Sequence, residues 1–424
     1  MYRQSRWCIG SPFFVWRNLL RKRIFCTFTD VMKKLLAILA AGALVTLPAA
    51  SKGLEGKVIY VNAGHGGWTT GDRPTPTINY EYMDTLGFFE SKTNLWKALE
   101  LQKKLEADGA KVIMSRTRNG IVTRDLLERG IVNENSPHGT MEGSATNRDR
   151  AEMDADETGQ QQIVGLERIA CQVDSLRPDY FISLHSNAHK RGSTVNYLVI
   201  LFRGETGKAY QEGSDEMARV AYPYIWDNPL SYWSSYSPEK PLVVGDITFM
   251  GGTPPGKPNR IGVNGYYAVL KHRVPGYLVE GSFHTYDPER QRLLNRDYCR
   301  MEGVRYYRGI RAYYKGKPEK IGYIVGAVKD EAEKMNHPRF SYKEGTDDQW
   351  KPINHAMVYL TDMKGRPLRA YCTDQDWNGV FVFDNLKPGK YKLRYEAYGY
   401  VTKTETVKVT ADKTTYLLPK LTKK

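Results

Sequence analysis

Three short apolar runs in this chain each lead into a residue able to bind a metal or carry a proton. Val58-Ile-Tyr-Val61 runs into Asn62-Ala-Gly-His65, Tyr180-Phe-Ile-Ser-Leu184 into His185-Ser-Asn187, and Gly276-Tyr-Leu-Val279 into Glu280. Continuous apolar runs of this length are expected of strands buried on both faces, and such strands belong to parallel sheets covered by helices. Helical patterns lie between them. From Thr93 to Glu106, Leu95, Leu99, Leu101 and Leu105 keep a mostly helical period, closed by Asp108-Gly109. Val164 to Leu176 reads as a helix stopped by Arg177-Pro178. Lys111–Arg116 and Val195–Phe202 add strands; Gly207–Tyr222 and Asp287–Tyr314 add helices. The alternation predicts an α/β fold, a mainly parallel twisted sheet flanked by helices.

In an open α/β sheet, ligands bind at the carboxyl ends of the strands. His65, His185 and Glu280 fall at or just beyond such ends, and Glu90 opens the helix that follows the first strand, near the same edge. Two imidazoles and one carboxylate make a catalytic zinc set with the fourth position open. Glu90, in a first helical turn, is favoured in the anionic form that a ligand needs. Glu280 is then left to take a proton from water and return it to a leaving amine. A carboxylate on an apolar strand is costly unless it is paired or functional. Taken singly, Glu90 also reads as an ordinary helix N-terminal acid and His65 as a turn residue; the convergence carries the argument. His138, His189, His272 and His284 lack equivalent placement and read as surface or supporting residues, with His189 and His284 the nearest alternates.

Four motifs occur in order: Val61-Asn-Ala-Gly-His-Gly-Gly67, Glu90-Ser-Lys-Thr-Asn-Leu95, Asp179-Tyr-Phe-Ile-Ser-Leu-His-Ser-Asn-Ala188 and Val274-Pro-Gly-Tyr-Leu-Val-Glu-Gly-Ser-Phe283. Together, over about residues 56–311, they resemble the zinc-dependent N-acetylmuramoyl-L-alanine amidases of bacterial cell walls. The resemblance implies zinc on His65, Glu90 and His185, with Glu280 as the catalytic residue. It also implies hydrolysis of the amide between the muramic acid lactyl group and L-alanine in peptidoglycan. The chain departs from the family pattern in a longer His65–Glu90 loop, in Asn62 where Asp is common, and in Gly281-Ser282-Phe283 where Thr-Gly-Phe is usual. A zinc amide hydrolase acting on another acylated amino sugar or peptide, and a non-catalytic cell-wall-binding protein, are the competing readings.

After Lys315-Gly-Lys-Pro318 the pattern changes to short strands separated by turn signals such as Asn378-Gly379 and Lys387-Pro-Gly389. About a hundred residues of this kind predict a small antiparallel β-sandwich. Gly379-x-Phe381-x-Phe383, then Leu386-Lys-Pro-Gly-Lys-Tyr391, then Gly399-Tyr400, resembles carboxypeptidase-regulatory-like, transthyretin-like modules. The expected domains are 55–316, catalytic, and 321–424, a docking or stabilising module whose removal leaves hydrolysis of soluble fragments largely intact. Two insertions interrupt the catalytic pattern: 118–163, polar and charged, a candidate for autoinhibition, and 226–266, rich in Trp, Tyr, Pro and Gly. Exposed aromatics in the second could stack on sugars.

The formal charge of +15 over 424 residues suggests nucleic acid only until the N-terminus is read. Met32-Lys-Lys followed by an apolar run and Ala49-Ala50-Ser51 has the layout of a signal peptide, 32–51. Residues 1–31 read as an upstream extension from a start codon placed too early, or as a long basic n-region. Without residues 1–51, 54 basic residues face 46 acidic ones, a formal +8. That charge suits an anionic wall surface and calls for no nucleic acid. The expected location is periplasmic or secreted, with no stable membrane span after cleavage. The expected partners are peptidoglycan and, beyond it, an activator or other cell-envelope protein. Cys8 and Cys26 fall in the leader region; Cys171, Cys299 and Cys372 show no disulfide spacing and read as small buried apolar residues.

Overall fold

The computed structural model describes residues 53–65, 76–78, 88–117, 159–190, 192–249, 262–263, 266–338 and 340–424. The leader, Gly66-Gly67, His138, most of the charged insertion and the 250–261 part of the aromatic insertion lie outside the described residues.

Six strands form the central sheet: β1 (Val58–Ala63), β2 (Lys111–Met114), β3 (Tyr180–Asn187), β4 (Val199–Phe202), β5 (Val243–Gly245) and β6 (Gly276–Phe283). Their order is β2-β1-β3-β6-β4-β5, and every neighbouring pair is parallel except β6 with β4. Alternate residues serve two cores. Ile59, Val61, Ile182, Leu184 and Val279 pack against helices α1 (Glu90–Ala107), α3 (Ser214–Trp226) and α5 (Arg296–Tyr313). Tyr60, Phe181, Leu201 and Leu278 pack on the other face with Ile169 and Val173 of α2 (Gly159–Leu176). Apolar burial on both faces explains why the strand sequences run apolar instead of alternating; each such fully buried aliphatic stabilises by about 1.5–3 kcal/mol. The helical stripe read in α1 is the buried one: Leu95, Ala98, Leu101 and Leu105 face the sheet.

The structure shifts several boundaries. The helix expected from Gly207 starts at Ser214, because 204–209 folds into a two-stranded turn. The Asp287–Tyr314 helix is two, α4 (Asp287–Leu294) and α5, broken at Asn295, whose side chain caps α5 by accepting from Tyr298 N at 3.0 Å. In the aromatic insertion, Trp226 and Trp233 stack on one another, centroids 6.1 Å apart, and pack against the core instead of facing solvent; Tyr236 is exposed. Of the three cysteines after the leader, only Cys299 is buried; Cys171 and Cys372 are exposed. His272, expected at the surface or in support of the site, has no solvent exposure. Residue type predicted these positions poorly because burial is decided by which face each neighbour covers.

Ten strands follow: β7 (Gly322–Ala327), β8 (Lys329–Lys334), β9 (Trp350–Pro352), β10 (Met357–Thr361), β11 (Pro367–Cys372), β12 (Val380–Leu386), β13 (Gly389–Glu396), β14 (Lys403–Val409), β15 (Thr414–Leu417) and β16 (Lys420–Leu421). They form sheets β12-β7-β15, β9-β8-β16 and β11-β10-β13-β14 around a core of their own that includes Ile324, Phe381, Phe383, Leu393 and Tyr395. Pairing is antiparallel apart from β7 with β15 and β8 with β16. Residues 52–424 are one compact unit. A further hydrophobic cluster joins Phe88, Leu293, Tyr298 and Val304 to Tyr323, Val325, Val380 and Val382 across the 316–321 connection. Arginines of α5 reach the same way: Arg300 to Asp384 at 3.0 Å and Arg311 to Asp412 at 2.6 Å. Of the docking and stabilising roles expected for the sandwich, these contacts favour the stabilising one.

Candidate metal centre

Strand register assembles the centre. Ala63 pairs with Leu184 and Glu280 with His185, on adjacent parallel strands, so β1, β3 and β6 deliver their chemistry to one level of the sheet edge. His185 and Glu280 lie inside their strands, which run on to Asn187 and Phe283, rather than beyond the ends. Gly64 N donates to Leu184 O at 3.0 Å, which draws the His65 turn against β3. A Cβ on Gly64 would overlap the His185 ring, so glycine is required there by close approach. His65 itself takes a left-handed φ of 57°, a strained conformation for a non-glycine residue.

Glu90 begins α1 and projects its carboxylate between two imidazoles: Oε2 lies 3.2 Å from His65 Nε2 and Oε1 3.4 Å from His185 Nδ1. The candidate ligand atoms of His65, Glu90 and His185 lie within 4.8 Å of one another, a group that could hold a metal ion. The carboxylate is 5% exposed, whereas the imidazoles are partly open, so access is from the histidine side. Burial opposes its ionisation, but the charge of His65 and hydrogen bonds from His185 and His65 hold Glu90 well below the usual carboxylate range.

A further set of residues fixes these three. Ser186 N donates to Glu90 Oε1 at 2.8 Å, and Asn94 Nδ2 donates to the same oxygen at 3.2 Å. The Arg116 guanidinium donates to Ala63 O at 2.8 Å, Gly64 O at 3.0 Å and Ser91 O at 2.8 Å, tying the His65 turn to the start of α1. His284 Nδ1 lies 2.9 Å from Ser186 Oγ, and its ring stacks on Phe88 with centroids 5.1 Å apart. Sequence reasoning named His284 only as an alternate and missed Arg116, Asn94 and Ser186. Arg116 closes the strand run that begins at Lys111, a position equivalent to those of the histidines, and that was its available signal. His189 is exposed; its backbone N donates to Thr285 Oγ1 at 2.8 Å.

Glu280 Oε2 is buried and has no hydrogen-bond partner among the described residues. Burial, and secondly the charge of Glu90, push this carboxyl up to about 8, against the pull of His65 and Lys97. A cation held among His65, Glu90 and His185 acts in the opposite direction, favouring the carboxylate. The next residue explains one departure from the family motif. A side chain at Gly281 would meet the Glu302 carboxylate and the Tyr306 hydroxyl, and Glu302 pairs with the wholly buried Lys97 ammonium at 3.0 Å. Tyr197 and Tyr267 flank the centre closely enough for Glu280 to help raise both phenols, after burial.

Fold and site together define an α/β enzyme domain with a metal-competent pair of histidines and a carboxylate at the sheet edge. The family model of N-acetylmuramoyl-L-alanine amidases matches residues 59–312, and the chain belongs to that family. A carboxypeptidase regulatory-like domain model matches residues 346–422. No curated protein matches the chain. Among solved structures, it is similar to an N-acetylmuramoyl-L-alanine amidase from Clostridium difficile 630 at 19% identity and a TM-score of 0.39, over 62% of this chain and 98% of that one. It is also similar to the Mycobacterium smegmatis amidase at 15% identity and 0.37, over 62% and 98%, and to the Nostoc punctiforme amidase at 16% and 0.36, over 61% and 97%.

Proposed function

We propose that this amidase hydrolyses the bond between the N-acetylmuramic acid lactyl carbonyl and the L-alanine nitrogen of peptidoglycan stem peptides, with zinc held by His65, Glu90 and His185. The observation that carries this reading is the convergence of those three side chains beside a buried carboxylate oxygen of Glu280 that has no hydrogen-bond partner among the described residues. The donor set fits zinc: two neutral imidazole nitrogens and one carboxylate oxygen, with a position left open. When bound, zinc supplies Lewis-acid polarisation of the scissile carbonyl and acidifies a water. Glu280 takes the proton from the water as its oxygen bonds to the carbonyl carbon. It then gives that proton to the alanine nitrogen as the carbon–nitrogen bond breaks, leaving a lactyl carboxylic acid and an amine, and the acid's remaining proton passes to the amine to give carboxylate and ammonium. Ser186 N and Asn94 Nδ2 hold Glu90 while this happens, and Arg116 holds the His65 turn.

The leader reading makes this an exported enzyme working in the periplasm or outside the cell on cell-wall remodelling or breakdown. Among the described residues, no helix is long and apolar enough to cross a membrane. Residues 55–316 are read as the catalytic domain and 321–424 as the regulatory-like module. The deciding experiment is mass spectrometry of the products from purified peptidoglycan, with and without a chelator. Stem peptides beginning in L-alanine, lost on chelation and restored by zinc, support the reading. Intact glycopeptides from folded, zinc-loaded protein overturn the substrate assignment.

A further inference from the structure

The second domain sends one fully buried carboxylate into the catalytic domain. Asp348, in the 3-10 turn Asp347–Gln349, is 3% exposed. Its Oδ2 accepts from Tyr286 OH at 2.8 Å, and its Oδ1 accepts from Arg292 Nη1 at 2.6 Å. Lys329 Nζ stands 3.6 Å from the same Oδ1. Close by, the backbone N–H of Ser341 donates to Asp287 Oδ2 at 2.6 Å. The two catalytic-domain groups of this attachment, the donating Tyr286 hydroxyl and the accepting Asp287 carboxylate, lie at the turn where the chain leaves β6 and enters α4.

That turn also contains His284. Its Nδ1 meets Ser186 Oγ at 2.9 Å, and Ser186 N donates to Glu90 Oε1 at 2.8 Å. Asp348 is thus linked to a candidate metal ligand by way of Tyr286, the 284–286 backbone, His284 and Ser186. A second route runs alongside. Phe88 stacks on His284, precedes Glu90 by two residues, and lies in the hydrophobic cluster shared with Val325 and Val382 of the second domain.

We propose that Asp348 is a positioning residue for the catalytic centre. Its carboxylate clamps the Tyr286 turn, and so fixes His284 against Ser186 and Ser186 against Glu90. The regulatory-like domain is on this view a structural part of the active centre, not an appended wall-docking module. Arg292 retains Glu289 as a second partner, with Nη2 to Oε2 at 2.7 Å, and Lys329 Nζ retains Asp347 O at 2.7 Å, so the side-chain contact to the turn is the one that Asp348 alone of these groups supplies. Ligand-supporting hydrogen bonds fix side-chain orientation, and losing one typically costs about 10–100-fold in metal affinity or activity. Asp348 acts one step further out, so its effect falls at or below the lower end of that range.

This proposal rests on the zinc-amidase reading above, and its test is chosen so that the two can fail separately. Tyr286→Phe deletes only the hydroxyl that meets Asp348, and Asp348→Asn removes the charge. Both are made in the full chain and compared with wild type for zinc affinity by competition with a chromogenic chelator, for kcat and KM on soluble muropeptides, and for thermal midpoint. The expected result for Tyr286→Phe is an almost unchanged midpoint, zinc affinity weakened about three- to tenfold, kcat lowered by a similar factor, and KM within twofold. Asp348→Asn moves the same quantities further. Wild-type zinc affinity and kcat in a folded Tyr286→Phe protein overturn the proposal, as do losses that merely track the unfolded fraction. If wild type binds zinc but leaves muropeptides intact, the substrate reading fails while the zinc comparison still decides the role of Asp348.

Discussion

Glu280 of β6 stands in register with His185 of β3 on adjacent parallel strands. A metal-ligand type and a proton-carrier type are therefore neighbours by pairing alone, with no loop needed to bring them together. A one-residue slip of β6 would turn Glu280 to the other face. The buried hydrophobic residues on both sides of it prevent that slip, so the core of the sheet also sets the geometry of the site.

The proposed function gives the two residues separable roles, and substitution should separate them. His185→Ala is expected to lose both zinc and turnover. Glu280→Gln is expected to keep zinc and lose about 10²–10⁴ in kcat, the usual contribution of acid–base help. Metal content with kcat for both proteins is the check; a metal-replete, active His185→Ala enzyme or near-wild-type turnover by Glu280→Gln would remove the corresponding role.

Arg116 bonds three carbonyls, on the His65 turn and at the start of the Glu90 helix. Arg116→Met removes the donor that ties the His65 turn to the start of α1, leaving Gly64 O only its 3.4 Å bond from Asn94 Nδ2, so on the proposed reading zinc affinity should fall about 10–100-fold. Chelator competition on protein with wild-type circular dichroism measures this. Unchanged affinity would mean that the turn holds itself.

Removal of residues 321–424 should cost the catalytic domain its stability. The cut uncovers Phe88, Tyr298 and Val304 and strips Arg300 and Arg311 of Asp384 and Asp412. Arg300 keeps Glu100 and Asp297, so the newly exposed apolar surface is the larger loss, and it predicts aggregation or a greatly lowered melting temperature. A soluble, monomeric truncation with native melting would show that the shared cluster is dispensable.

His272 makes stability depend on acid. Burial above all, against the pull of Asp174 and the Val274 backbone, holds its imidazole down at about 4. An unfolded histidine titrates near 6.5, so between those values the unfolded chain binds a proton that the folded chain refuses. Stability is therefore lost as pH falls from about 6.5 toward 4, with a slope of up to about 1.4 kcal/mol per pH unit from this group. His272→Phe, beside the Phe181 ring, should flatten the slope when denaturation is followed across that range; an identical slope would exclude His272 as a contributor.

Much of the catalytic fold was legible along the chain. Strands buried on both faces must be apolar, α1 must show an apolar stripe, and the residues at the sheet edge must follow the apolar runs; His65, Glu90, His185 and Glu280 could be singled out for that reason. Their supports could not. Arg116 acts through backbone carbonyls, which leave no mark in residue type. His284 looks like any histidine until its ring is seen between Phe88 and Ser186. The aromatics of the 226–266 insertion left sugar stacking open because an aromatic residue on its own does not say which surface covers it.

Local chemistry set the periodicities, the turns and the order of the motifs, because these depend on residues a few positions apart. The tertiary structure alone decided strand register, the burial of His272 and the entry of Asp348 beneath the Tyr286 turn. Asp348 and Tyr286 are 62 residues apart in the chain. Their contact exists because a shared hydrophobic core and a set of buried charges hold the two domains together, and the sum of such distant contacts cannot be read from any one stretch of sequence.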